Sequence, residues 1–126
     1  MATEAETILA LERAALARWN RGDPKGYLEI SSPEATYFDP MIDERIDGYP
    51  ALEKHLLPVA GKIFTDRHEL LNPHVTVASE LGILTYNLVT YVGESVNSRW
   101  NVTEVFRKSG GEWKIVHSHF SITKPA

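Results

Sequence analysis

The chain contains no cysteine, which removes thiolate catalysis, zinc-thiolate sites and any disulfide framework together. It is short of positive charge. Its 13 Lys and Arg face 17 Asp and Glu, for a net charge of −4, the wrong sign for an electrostatic nucleic-acid binder. No apolar run approaches the ~20 residues that a membrane span needs, and Met1 to Glu6 carry acids where a secretion signal needs a basic start. Internal repeats, linkers and low-complexity stretches are also absent. These gaps predict a cytoplasmic protein with neither a nucleic-acid nor a membrane partner. What is present is 126 residues, 43% hydrophobic and 24% charged, a balance that suits one globular domain over residues 1–126.

Helices come first along the chain. Thr3 with Glu6 is a capping-box pair, and Ile8, Leu11, Ala15, Leu16 and Trp19 recur at helical spacing as far as Asn20. Glu12 falls inside that apolar arc, four residues after Ile8, so it either snorkels to the edge or faces a cavity. Gly22 stops the helix, and Asp23-Pro24 starts a second one through Tyr27, Leu28 and Ile30, closed by Ser31-Ser32-Pro33. Ala35 to Asp39 reads as a short strand and Asp43 to Asp47 as a turn with a return strand. Gly48-Tyr49-Pro50 opens a third helix on Leu52, Leu56 and Val59, ended or kinked by Pro58. Beyond it, His68 to Ser79, Leu81 to Val92, Arg99 to Arg107 and Trp113 to Ile122 read as four strands on short turns, hence mostly antiparallel. The predicted class is α+β: three N-terminal helices packed in a strongly curved, mostly antiparallel sheet.

Parity sorts each strand into two faces. Trp100, Val102, Glu104 and Phe106 share one face, and a carboxylate held among three large apolar groups must find a helix Arg or Lys at an edge or keep its proton. Leu84, Tyr86, Leu88 and Thr90 share a face of the preceding strand. On the last strand, strict alternation puts Trp113, Ile115, His117 and His119 together against Val116, Ser118 and Phe120. A face carrying Asn87, Thr103, His117 and His119 beside apolar groups points to a sheet covered by a second copy, a homodimer through the outer face. His117-x-His119 also has the geometry of two metal ligands, but no third ligand is identifiable and no metal is assigned. Asp39 before Pro40 is either a turn former or a cavity carboxylate. In one cavity, Asp39 and Glu104 would push their pKa values apart, as a proton-transfer pair requires.

The assembled residues resemble the nuclear transport factor 2-like superfamily, a cone of helices wrapped by a curved sheet around a cavity. Within it the chain is similar to the association (hub) domain of calcium/calmodulin-dependent protein kinase II and to SnoaL-like proteins. The residues that carry the likeness are Asn20-Arg21-Gly22-Asp23, Phe38-Asp39-Pro40, Leu71-Asn72-Pro73-His74-Val75, and Gly111-Glu112-Trp113 running on to Val116-His117-Ser118-His119-Phe120-Ser121. The resemblance implies self-association, as a dimer and potentially a larger ring. It also implies a cavity in which Leu88, Glu104 and Phe120 stand where the kinase hub keeps arginines, so the hub's anion binding does not carry over. Likeness to the ketosteroid isomerases implies a catalytic base at Asp39 and an acid at Glu104, or at Thr103 if the last hairpin has no slack; their helix tyrosine is Ala15 here.

Two functions follow as expectations. The first is an oligomeric association-type domain that binds a small apolar or cationic molecule, without a cofactor, through Tyr37, Tyr86, Leu88, Thr90, Trp100, Val102, Ser118 and Phe120. The second is a small acid–base enzyme, isomerase-like or cyclase-like, with Asp39 as base and Glu104 as neutral acid.

Overall fold

In the computed structural model, which describes residues 1–124, helix α1 (Glu4–Trp19) is followed by α2 (Lys25–Glu29), β1 (Ser31–Phe38), β2 (Ile46–Asp47) and α3 (Tyr49–Leu56). A 3-10 turn, Leu57–Val59, leads to the long strands β3 (Arg67–Ala78), β4 (Leu81–Val92), β5 (Ser95–Ser109) and β6 (Glu112–Lys124). One six-stranded sheet holds them in the order β2-β1-β6-β5-β4-β3. Only β1 and β6 run parallel. The α+β class, the three helices and the curved, mostly antiparallel sheet are as the sequence predicts. No helix among the described residues is long and apolar enough to cross a membrane.

The capping box at α1 forms as expected. Thr3 Oγ1 accepts the Glu6 N–H at 3.1 Å and Glu6 accepts the Thr3 N–H at 2.8 Å, satisfying two amides that the first turn leaves free. Ile8, Glu12, Ala15 and Leu16 form the buried stripe. Past α1 the chain reverses at Gly22, whose φ of +85° favours glycine, and an added Cβ would lie 2.9 Å from the Phe64 ring. Asn20 ties this corner down, donating to the Leu16 carbonyl at 2.9 Å and accepting from the Thr65 hydroxyl at 2.8 Å.

Three strand assignments differ from expectation, each for a backbone reason. β1 begins at Ser31, not Ala35, because parallel pairing to β6 engages Ser31 opposite Ile115 and Thr36 opposite His117. Pro33, which donates no hydrogen bond, falls in the irregular stretch between those pairs. β5 begins at Ser95 rather than Arg99: the polar run 95–98 pairs with β4, and Asn97 is an extra residue between Val96 opposite Tyr91 and Ser98 opposite Thr90. In β6, Ile115 stands opposite Phe106 and His117 opposite Val105, leaving Val116 as a bulge.

That bulge overturns the strict-parity reading of the last strand. One inserted residue exchanges the faces. Trp113 and Ile115 are buried in the core, but inward positions beyond Val116 are Ser118 and Phe120, while His117 and His119 turn outward. The core sits between α1 and the inner sheet face, centred on Ile8, Leu16, Leu84, Phe106 and Ile115, each at most 1% exposed.

Candidate functional site

Where the core stops, the space between helices and sheet stays open as a cavity of about 530 Å³. Leu16 and Trp19 of α1, Tyr27 of α2 and Leu52, His55 and Leu56 of α3 form its helical wall, and Tyr37, Leu88, Trp100 and Phe120 its sheet wall. Met41, 84% exposed, stands at the rim. Among the described residues no Lys or Arg lines this space.

One polar cluster on the wall is built around Asp39. Its Oδ2 accepts the Tyr37 hydroxyl at 2.7 Å and lies 2.8 Å from His55 Nε2, and Oδ1 accepts the Met41 N–H at 2.7 Å. Burial pushes the Asp39 carboxyl up, but the hydrogen bonds from His55, Tyr37 and Met41 outweigh it and hold the group below the usual carboxylate range. Asp39 is therefore an ion with three hydrogen bonds, two on Oδ2 and one on Oδ1. Burial and the Asp39 charge push the Tyr37 hydroxyl up, so it remains a neutral donor. His55 escaped the sequence reading. It lies three residues after Leu52 and one before Leu56, a polar residue on the apolar face of α3, and that placement was the available signal.

The second cluster lies behind the cavity, inside the core. Glu12 and Glu104 are both fully buried. Glu12 Oε2 accepts hydrogen bonds from Tyr27 at 2.9 Å and Tyr86 at 2.5 Å. Among the described residues Glu12 Oε1 and both Glu104 oxygens have no hydrogen-bond partner, so two buried carboxyls lie close together without donors enough to keep both ionised. Burial raises both groups above the usual range, and the neighbouring Glu12 charge adds to the shift on Glu104. The pair therefore favours a protonated form over two buried charges, and Glu12 Oε2 is the acceptor of two tyrosine donors. Burial, followed by the Glu12 charge, likewise drives the Tyr27 and Tyr86 hydroxyls well above their ordinary value.

Several expectations need correction. Glu104 shares no cavity with Asp39: it is absent from the wall, because Ser118, its pairing partner on β6, and Tyr27 of α2 stand there instead. It forms no edge ion pair, and Glu12 neither snorkels nor faces the hollow. Tyr86 and Val102, expected on the wall, are buried in the core layer beside Glu12 and Phe106, whereas Tyr37, Leu88, Thr90, Trp100, Ser118 and Phe120 do line the cavity. Asn87, Thr103, His117 and His119 lie on the outer face. There His117 Nδ1 is 2.7 Å from the Thr36 hydroxyl, and the Phe38 ring packs 5.6 Å from His117 and 5.2 Å from His119.

The comparisons with known proteins agree with this architecture. Residues 8–125 match the SnoaL-like domain family. A solved structure of a ketosteroid isomerase candidate from Parabacteroides distasonis superposes with a TM-score of 0.87 at 33% identity, covering 98% of this chain and 90% of that one. The calcium/calmodulin-dependent protein kinase II hub homology domain of Chlamydomonas reinhardtii gives 0.78 at 22% identity over 98% of this chain and 100% of that one, a likeness of fold. In sequence, the Drosophila melanogaster calcium/calmodulin-dependent protein kinase type II alpha chain is 27% identical over 123 residues. The match takes in 92% of this chain but spans only 23% of that protein.

The protonated pair has a consequence for stability. A native carboxyl whose pKa is raised keeps its proton while the unfolded chain releases its own, so stability falls as pH rises from the unfolded value, ~4.3, toward the raised one. Glu104→Gln keeps a donor for Glu12 without that linkage. Urea unfolding at pH 5 and pH 8 is expected to show a smaller loss of stability with rising pH in E104Q than in the unaltered protein; equal slopes would contradict the raised pKa of Glu104.

Proposed function

The chain belongs to the SnoaL-like domain family, and on that premise we propose that residues 1–126 act as one self-associating domain whose cavity holds a small, mainly apolar molecule. The observation that carries this reading is the wall itself: apolar and aromatic side chains around one internally matched ion, with no Lys or Arg among the described lining residues. Such a wall lowers the free energy of an apolar ligand by removing its surface from water. It offers an anion no counter-charge. The one carboxylate on the wall is already matched by His55, Tyr37 and the Met41 N–H, so the apolar half of the expectation is preferred to the cationic one.

Self-association is supported by the outer sheet face. Leu71 and Ile83 are 37% and 45% exposed there, alongside His119 and the half-buried Val105, Thr103 and His117. An apolar, two-sided sheet of this kind is the sort of surface a second copy covers. The Chlamydomonas relative is described as a hub domain, a word for assembly. Sedimentation at micromolar concentration is expected to give twice the chain mass, with Ile83→Asp weakening the dimer on the order of 100-fold by placing like charges in the contact. A monomer in the unaltered protein would remove the oligomer claim. For the cavity, ethylnaphthalene is expected to quench Trp19 and Trp100, both on the wall, with a dissociation constant on the order of 10–100 µM. Absence of any saturable change would end the ligand-binding reading.

The 2.8 Å Asp39–His55 contact on the wall favours a second reading, proton transfer. Asp39 is held as a low-pKa ion by its three hydrogen bonds, which makes it a weak base, so in this reading the base is His55, aligned by Asp39 as an acid aligns histidine in other general-base sites. Exchange of the α-protons of 2-tetralone in heavy water, followed by nuclear magnetic resonance, tests it. Catalysed exchange is expected to fall by ~100-fold or more in His55→Gln, and exchange at the buffer rate would dismiss the enzyme.

A further inference from the structure

A second set of polar groups on the cavity wall is not used by the Asp39 cluster. It arises at the Asn97 bulge. The inward pair next beyond Leu88 and Trp100 is Thr90 opposite Ser98, and all four line the cavity together with Asn97. The Trp100 indole N–H donates to Ser98 Oγ at 2.7 Å, Asn97 Nδ2 donates to Thr90 Oγ1 at 3.2 Å, and the two hydroxyl oxygens are 2.6 Å apart.

The proton count at these hydroxyls is unbalanced. Each hydroxyl has one proton and two lone pairs. If Thr90 donates to Ser98, Ser98 Oγ accepts from both Thr90 and Trp100 and its own proton is uncommitted. If Ser98 donates to Thr90, Thr90 Oγ1 accepts from both Ser98 and Asn97 and the Thr90 proton is uncommitted. In either arrangement one hydroxyl has both lone pairs taken and can only donate, and no carbonyl or carboxylate among the described residues receives its proton. In the second arrangement the unmatched donor is Thr90, 4% exposed, and in the first it is the half-buried Ser98; in either, a ligand oxygen would supply the missing acceptor.

We propose that Thr90, Ser98, Asn97 and Trp100 form a hydrogen-bond-donating subsite that receives the neutral carbonyl oxygen of the cavity's ligand. This narrows the ligand class, resting on the cavity-binding reading above, to an apolar body bearing a ketone, aldehyde, ester or amide. A carboxylate fits less well, since the wall supplies hydroxyl and amide donors but no balancing positive charge from Lys or Arg among the described residues. A plain hydrocarbon fills the apolar wall and leaves the donor unmatched.

The test pairs acetylnaphthalene with ethylnaphthalene, which share a ring body and differ in the carbonyl, against the unaltered protein and Thr90→Val with Ser98→Ala. The ketone is expected to lose about 5- to 10-fold in affinity in the double variant, the worth of one hydrogen bond, while the hydrocarbon changes by less than about twofold. The infrared carbonyl stretch of the bound ketone is expected at lower frequency in the unaltered protein than in the variant. Equal losses for both probes, or a carbonyl stretch that does not respond, would overturn the subsite while leaving the apolar cavity intact. Failure of ethylnaphthalene to bind the unaltered protein would instead sink the cavity reading and the subsite with it. Should the double variant not fold, Ser98→Ala alone, at a half-buried position, carries the same comparison.

Discussion

A single extra residue in the last strand decides what each face of the sheet can do. Because Val116 is a bulge, the inward row of β6 passes from Trp113 and Ile115, which complete the core, to Ser118 and Phe120, which border open space. Without the bulge, His117 and His119 would point at the helices. Two imidazoles would then have to be desolvated where an apolar wall now stands, and Phe120 would be presented to solvent. The same shift brings Phe38 and Thr36 of β1 beside the two histidines. Strand irregularity of this kind re-aims side chains and bends the sheet, and the bend is what lets long strands wrap the helices.

The inner space is partitioned by chemistry. At the closed end two tyrosines donate to buried Glu12, and Glu104 lies beside it with neither oxygen hydrogen-bonded among the described residues. At the open end Asp39 is held as an ion by Tyr37, His55 and a backbone amide. The difference follows from the donors available. Asp39 has three hydrogen bonds to offset its burial, whereas among the described residues neither Glu104 oxygen has a hydrogen-bond partner and the neighbouring charge is another acid. Equal residue chemistry thus gives a charged group in one place and a neutral one in the other. A buried network of this type fixes the helix–sheet register, since sliding α1 would strand Glu12 among apolar groups.

Much of this was legible in the sequence because it is written in local signals. The Thr3 and Glu6 pair, the apolar stripe of α1 and the alternating runs of β4 and β5 each specify their own element. Glu104 amid Trp100, Val102 and Phe106 announced a carboxyl that must hold a proton or find a partner. Its partner was hidden because Glu12 is 92 positions away and helix-to-sheet distance has no sequence pattern. His55 was obscured by the short helix around it. The bulges at Asn97 and Val116 were illegible for a different reason: alternation has to be broken by the pairing strand, and the pairing strand is not in the window being read. Gly93 to Ser98 therefore reads as a turn, and the outward side chain of His117 reads as a continuation of Ile115.

The parallel pairing of β1 with β6 bears on how the chain reaches this state. Thr36 meets Val116 and His117 across about 80 positions, so the first strand of the sheet has its central neighbour in the last. Such long-range pairing is entropically slow to form. Until β6 is made, β1 and the helices on either side of it wait with an unpaired edge and an open core, surfaces of the kind that misassociate and that chaperones capture.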